Sequence, residues 1–144
     1  MKVYLGPYKE DDSSRKESIH LHDYDTWNMD HTLALIALPM LKQLKETKHG
    51  VPGYIDSKDM PEHLMYTPRQ YDPRAVGDLF NNWDDFDDEF QRQVEVWDWI
   101  MDEMIWSMEQ VLEDSIEHEL DTEHHDRVYN GLKLFGKYYR SLWD

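Results

Sequence analysis

Cysteine is absent from this 144-residue chain. That excludes a disulfide framework and any thiolate metal site, and it suits a reducing compartment. Long apolar runs are absent too. No stretch approaches the ~20 residues of a membrane span, and the opening Met1-Lys2-Val3-Tyr4-Leu5-Gly6-Pro7 lacks the apolar core of a signal peptide. Glycine and proline are scarce, six of each, and residues 49–78 hold three of the glycines and four of the prolines. Bases are nearly missing from one region. Between Asp78 and Asp126 there are eighteen acids and a single base, Arg92, so this segment carries −17 against −16 for the whole chain. The remainder is close to neutral. Charge of this sign excludes direct binding to DNA, RNA or an anionic membrane surface.

What is present points to one folded domain. Hydrophobic residues make up 40% of the chain, and six Trp, nine Tyr and four Phe argue for a packed core rather than disorder. Residues 1–23 read as a β-hairpin. Val3 and Leu5 lie in its first strand, the alternating Ser18-Ile19-His20-Leu21-His22 in its second, and the polar stretch Lys9 to Lys16, with Asp11-Asp12-Ser13-Ser14, forms the turn. A first helix spans 25–48, with Asp25 or Thr26 as its cap. Leu33, Ile36, Met40, Leu41 and Leu44 form its expected apolar face, and Pro39 is expected to kink it. Lys45, Lys48 and His49, followed by Gly50 and Pro52, mark its end.

Residues 49–78 read as a long wrapping loop pinned by Tyr54, Ile55, Leu64, Met65 and Tyr66. A long acidic helix follows over 84–119, with Phe90, Val94, Trp97, Met101, Met104, Ile105, Met108, Val111 and Leu112 on one face. A C-terminal helix over 122–142 would bury Val128, Leu132, Phe135, Tyr139 and Leu142. Gly131 and Gly136 are costly inside a helix unless a neighbour packs closely there. The fold class is mainly α: a small three-helix domain with an N-terminal β-hairpin and a long Pro/Gly-containing loop.

Several constellations bear on function. Asp98, Asp102 and Glu109 form a stripe beside the apolar face, and Lys133, Lys137 and Arg140 form a basic stripe on the last helix. The simplest reading pairs these stripes across two antiparallel helices. A sharper reading is a site for Mg²⁺ or Mn²⁺, with Asp30, His31, Asp102 and Glu103 as weak candidate ligands. No cofactor is required by the sequence. Di-iron bundles use Glu-x-x-His pairs on helices, but here the only such pair, Glu17 with His20, falls in the hairpin. The acidic quartet of the all-α nucleotide pyrophosphatases is matched only partly, by Asp84-Asp85-Phe86-Asp87-Asp88 and Glu123-His124-His125-Asp126. His20 with His22, and His118 with His124 and His125, are further metal candidates that more often are ordinary surface residues. Trp99 and Trp106, with Tyr138 and the bases Lys133, Lys137 and Arg140, could instead hold a nucleotide by stacking and phosphate contacts. The competing reading is that large aromatics fill the core, and Trp97 belongs to that set.

The segment Tyr24-Asp25-Thr26-Trp27-Asn28-Met29-Asp30-His31-Thr32-Leu33-Ala34-Leu35, continuing through Pro39-Met40-Leu41-Lys42-Gln43-Leu44-Lys45, resembles a family of small proteins of tailed and marine bacteriophages. The likeness extends in order through Lys48-His49-Gly50, Asp59-Met60-Pro61-Glu62-His63, Trp97-Asp98-Trp99, Glu103-Met104-Ile105-Trp106 and the tail Gly131 to Tyr139. Members of that family often insert residues before the tail, whereas here the junction from Glu113 to Asp126 is short. The resemblance implies an origin and carries over no catalytic residue. It implies an accessory protein of the host cytoplasm that binds rather than catalyses, for host takeover or counter-defence. The expected partner is a host protein with a basic surface, the carboxylate rows standing in for DNA phosphates. A nucleotide-signal sponge, a metal-dependent nucleotide hydrolase and a virion-associated structural role are the alternatives. A homo-oligomer is compatible with each.

Overall fold

Three α-helices and one two-stranded hairpin make up the regular structure among the described residues. The computed structural model describes residues 1–9, 14–67, 83–113, 118 and 120–143, the side chains of 83–87 excepted. The Asp11-Asp12-Ser13 turn, loop residues 68–82, the end of the acidic helix beyond Glu113 and the Asp84-Asp85-Phe86-Asp87 side chains lie outside the described residues.

The hairpin pairs β1 (Lys2–Tyr8) with β2 (Arg15–His20) antiparallel. Val3 sits opposite Ile19 and Leu5 opposite Glu17, and the register shifts between Leu5 and Tyr8. Pro7 falls in that irregularity, where its missing N–H breaks no regular ladder bond. The strands are longer toward the turn than the alternation pattern marks, and the second ends at His20.

A 3₁₀ turn over Asp23–Thr26 leads into the first helix, α1 (Met29–Thr47). Asp25 is not the helix cap, because its carboxylate has other partners. It accepts the His22 N–H at 2.7 Å and holds the Met1 ammonium at 3.0 Å. Those two contacts lower its pKa, the backbone hydrogen bond foremost. Asn28 occupies the cap position instead. The helix continues through Pro39, which is exposed, as is Leu35 four residues earlier. Pro39 has no N–H to offer the Leu35 carbonyl, which loses its intrahelical donor.

The long acidic helix, α2 (Trp83–Glu113), packs between α1 and the last helix, α3 (Thr122–Lys137). The α3 segment is capped by Asp121, whose side chain accepts the His124 N–H at 3.1 Å. A short 3₁₀ turn over Tyr139–Ser141 follows it, so the C-terminal helix is shorter than the 122–142 expected. The core is built mainly from α2: Val96, Trp97, Ile100, Met101, Met104 and Met108 are buried. Phe90, expected on this face, is exposed.

Two expected core stripes hold in part. On α1 the buried positions are Ala34 and Leu41, flanked by Ala37, Leu38 and Leu44, while Leu33, Ile36 and Met40 face outward. On α3 Gly131 and Leu134 are buried, with Tyr138 just past its end; the expected Leu132, Phe135 and Leu142 are half-buried against the core, and Tyr139 is exposed. Gly131 permits a close approach. A Cβ there would sit 1.9 Å from Ser107 Oγ and 2.4 Å from the Glu103 carbonyl oxygen, so α3 approaches α2 nearly backbone to backbone. Gly136 has no such neighbour within 4 Å.

The loop after α1 is held firmly. Ile55 and Met60 are buried, with Leu64 and Tyr66 half-buried, but Tyr54 and Met65 are exposed and do not pin it. Gln93 Nε2 donates to the Pro52 carbonyl at 2.6 Å. The Asp56 N–H donates to Tyr138 Oη at 3.1 Å, and Tyr138 Oη donates to Asp59 Oδ2 at 2.8 Å. Lys137 binds both carboxylates, at 2.8 Å to Asp56 and 2.5 Å to Asp59.

Candidate functional site

The acidic stripe of α2 meets lysines of α1, not the bases of α3. Lys42 lies 2.6 Å from Glu109, Lys45 lies 2.5 Å from Asp102, and Lys48 pairs with Asp98. Lysine numbers rise as the acid numbers fall, as two antiparallel helices require. This corrects the expected pairing with Lys133, Lys137 and Arg140. Lysines spaced by three on α1 form as good a stripe as the C-terminal bases, and the packing order of the helices decides between them. Lys133 and Arg140 are exposed, while Lys137 is engaged with Asp56 and Asp59.

On the other flank, Arg127 grips Glu103 through two bonds, Nε to Oε2 at 3.0 Å and Nη2 to Oε1 at 2.8 Å. Glu103 is buried, and such a fork is the favourable way to place a carboxylate there. The pair raises the pKa of Arg127, the hydrogen bonds to Glu103 being the main cause. The same guanidinium lies 3.9 Å over the Trp106 ring. His124 packs edge-on to Trp106 at 5.3 Å, shares a 2.7 Å hydrogen bond with Gln110 and stacks on His118 at 4.0 Å. Trp106 is thus enclosed by its own chain.

Tyr138, expected to line a nucleotide pocket, is buried against Trp97 at 5.7 Å and bonded to the 49–67 loop. Burial, with the Asp59 carboxylate beside it, pushes its pKa up to about 12. Lys137 is raised by its bonds to Asp56 and then Asp59. Asp56 is lowered, with the Lys137 hydrogen bond first among the causes. These residues form a clasp between the loop and the C-terminal helix. Only the loop acids Asp56 and Asp59, which sequence reasoning missed, make that clear.

Asp30 and His31 lie in the first turn of α1, whereas Asp102 and Glu103 are committed to Lys45 and Arg127. Among the described residues no group of three or more His, Asp or Glu side chains is placed to hold a metal ion. His20 and His22 have rings 5.1 Å apart, edge to face.

The outward face of α2 carries a long row of acids. Asp88, Glu95, Asp102 and Glu109 recur every seventh residue, and Glu113 continues the row. Two turns of helix separate each from the next, roughly 10 Å, so the row spans about 30 Å. Asp88, Glu95, Asp102 and Glu113 are exposed. Trp99 and Trp106 lie on the same face at the same seven-residue interval, both half-buried. Lys45 and Lys42 of α1 reach Asp102 and Glu109 at one edge of this face, and Arg127 and His124 of α3 lie against Trp106 at the other. Among the described residues no helix is long and apolar enough to cross a membrane. No protein-family model, no curated protein and no solved structure matches the chain.

Proposed function

We propose that this chain is a non-catalytic binding protein whose working surface is the solvent face of the long acidic helix. The observation that carries the reading is the row of exposed carboxylates Asp88, Glu95 and Glu113 with the half-buried Trp99 beside them, on the face of α2 that α1 and α3 only flank among the described residues. Exposed carboxylates steer a basic partner into place, and a half-buried tryptophan supplies the apolar anchor that most tight protein interfaces need. The partner this fits is a basic patch on another protein. A patch that ordinarily holds nucleic acid would be blocked by it. The spacing is coarser than the one charge per ~1.7 Å of a DNA duplex, so the row acts as a docking rail rather than a copy of the double helix. Taken with the resemblance to small phage proteins, the role is that of an accessory factor in host takeover or counter-defence, working in the host cytoplasm.

The nucleotide-sponge reading is weaker on this geometry. Trp106 is enclosed by Arg127 and His124, and Lys137 and Tyr138 are held by the loop. The test is capture from host lysate on the immobilised chain, run beside a variant with Asp88→Lys, Glu95→Lys and Glu113→Lys. Partners retained at low salt should be lost from the variant and released as salt rises, because exposed charges are screened within ~3 Å at 1 M. Capture that withstands both the reversed rail and ~1 M salt would sink the proposal.

A further inference from the structure

The loop that follows α1 is a strap whose hold on the helices is gathered in one place. Over the described residues 50–66 it makes no ladder with the body. Its regular structure is two 3₁₀ turns, Ser57–Asp59 and Glu62–Leu64, and the backbone bonds of each are made within the strap. Gln93 Nε2 holds its start through the Pro52 carbonyl. Among the described residues, the other hydrogen bonds from strap to helix end on two neighbours at the end of α3, Lys137 and Tyr138.

Tyr138 Oη has two partners at once. It accepts the Asp56 N–H at 3.1 Å and donates to Asp59 Oδ2 at 2.8 Å. One oxygen thus joins both ends of the first turn, and Lys137 Nζ bridges the same two carboxylates. The apolar ties sit beside these bonds. Ile55 and Met60 are 3% and 6% exposed, whereas Val51, Leu64 and Tyr66 are only half-buried and Gly53, Tyr54 and Met65 are exposed. Bonds gathered in this way break together. When Tyr138 Oη lets go, Asp56 and Asp59 both lose a partner, and Ile55 and Met60 lie directly beside them. A segment with few buried side chains and no ladder belongs to the least stable part of a fold, while helices packed on a continuous core belong to the most stable.

We infer that residues 55–60 form a latch: the strap opens there as one unit while the three helices stay packed, and the Tyr138 hydroxyl is its catch. Opening frees that hydroxyl and takes Ile55 and Met60 out of the apolar cluster that also holds Trp97 and Tyr138. It bares a piece of core at the contact between those two rings without unfolding either helix. The acidic row of α2 has no part in it, so the latch and the docking rail fail separately.

The experiment is amide hydrogen exchange of the full chain at pH 7, read residue by residue by NMR, from no urea to the foot of the unfolding transition. Asp56, Asp59 and Met60 should share one opening that urea barely speeds, because little surface is exposed by it. Trp97, Ile100 and Met104 should exchange through an opening that urea speeds steeply. Two variants separate these openings. Arg127→Met acts on the closed and open strap alike, so it should speed the α2 amides at least about tenfold and leave the strap amides within about twofold of the wild type. Tyr138→Phe acts on the closed form alone, so it should speed strap and α2 amides by the same factor, about tenfold. Strap amides that follow the urea dependence of α2, or that Arg127→Met speeds as much as α2, open only with the whole chain and overturn the inference. Exchange of Asp56 alone, with Asp59 and Met60 following α2, overturns the single unit. Strap amides unmoved by Tyr138→Phe overturn the catch. The urea dependence needs no variant, so the test stands even where a variant fails to fold.

Discussion

The two seams of the long helix are built on different physics. Against α3, α2 offers a buried carboxylate, a small serine and bare backbone, and α3 answers with Gly131 and the Arg127 fork. Against α1, it offers a rim of carboxylates, and α1 answers with three lysines over small residues, Ala34 and Ala37. One seam is fixed by closeness and the other by a ladder of partly exposed charges. Closeness is unforgiving because backbone atoms cannot move aside. Exposed ion pairs are forgiving because water and salt replace them cheaply. The α3 seam should therefore dominate stability, while the α1 seam mainly sets direction and alignment.

The strongest test of that contrast is a pair of glycine substitutions in one helix. Gly131→Ala brings a methyl to 1.9 Å from Ser107 Oγ and 2.4 Å from a backbone oxygen. It should lower unfolding stability by about 3 kcal/mol, at the upper end of overpacking costs and despite alanine's better helix propensity. Gly136→Ala meets nothing within 4 Å and should raise stability by up to about 1 kcal/mol. Urea unfolding of both variants checks this. Equal and small effects would mean that the α3 seam is not set by contact at Gly131.

Next in size is the fork. Arg127→Met leaves the Glu103 carboxylate buried at 7% exposure without its partner. Losing one member of a buried pair costs several kcal/mol, but Arg127 is itself half exposed, which reduces the figure to about 2 kcal/mol. Adding Glu103→Met to Arg127→Met should restore most of the loss. A double variant no better than the single one would show that the fork contributes beyond satisfying a buried charge.

How much of this could be read beforehand follows the same division. The acidic helix was legible because Trp97, Met101, Met104 and Met108 repeat at helical spacing over a long stretch without Gly or Pro. The carboxylate stripe was legible for the same reason. Its partner was not, because a row of like charges does not say which helix lies beside it, and Lys42, Lys45 and Lys48 match it as well as Lys133, Lys137 and Arg140 do. On α1, hydrophobicity marks Leu33, Ile36 and Met40 as core, yet all three are exposed, since so many residues of this helix are apolar that periodicity alone does not choose the face. The inward face of α1 is Ala34, Ala37, Leu38, Leu41 and Leu44, so of the five expected residues Leu41 and Leu44 face the core and Leu33, Ile36 and Met40 do not. On α3, the value of Gly131 depends on a neighbour that sequence periodicity does not contain. The clasp of Asp56, Asp59, Lys137 and Tyr138 joins positions about eighty residues apart, and nothing local announces it.

That clasp gives the α3 side an alkaline pH dependence. Tyr138 has its pKa raised from 10.0 to about 12, and Lys137 is raised as well. Both groups hold their protons more tightly in the folded chain. Their contribution is therefore complete below pH 10 and is lost as pH rises from there through about 12. Urea midpoints should be flat from pH 7 to 9 and fall above pH 10. Tyr138→Phe should lower the midpoint at pH 8, where the Asp59 hydrogen bond is lost, and make the alkaline fall shallower. An alkaline limb of unchanged slope would assign the loss to other groups.

The smallest expected effect belongs to the α1 ladder, and salt alone cannot measure it. Raising ionic strength screens the three lysine pairs, which destabilises, but it also relieves the self-repulsion of a −16 chain, which stabilises. The two effects oppose each other, so a flat salt response would be uninformative. A double-mutant cycle removes the ambiguity. For Lys42→Met and Glu109→Gln, both half-exposed, the coupling should be about 0.2–0.5 kcal/mol. For Lys48→Met and Asp98→Asn it should be larger, about 1 kcal/mol, because the Lys48 side chain is only 9% exposed. The rank order is the test. If the Lys42 pair couples as strongly as the Lys48 pair, the rim is not solvated as its exposure implies. The α1 seam would then be held by charge as firmly as the α3 seam is held by contact.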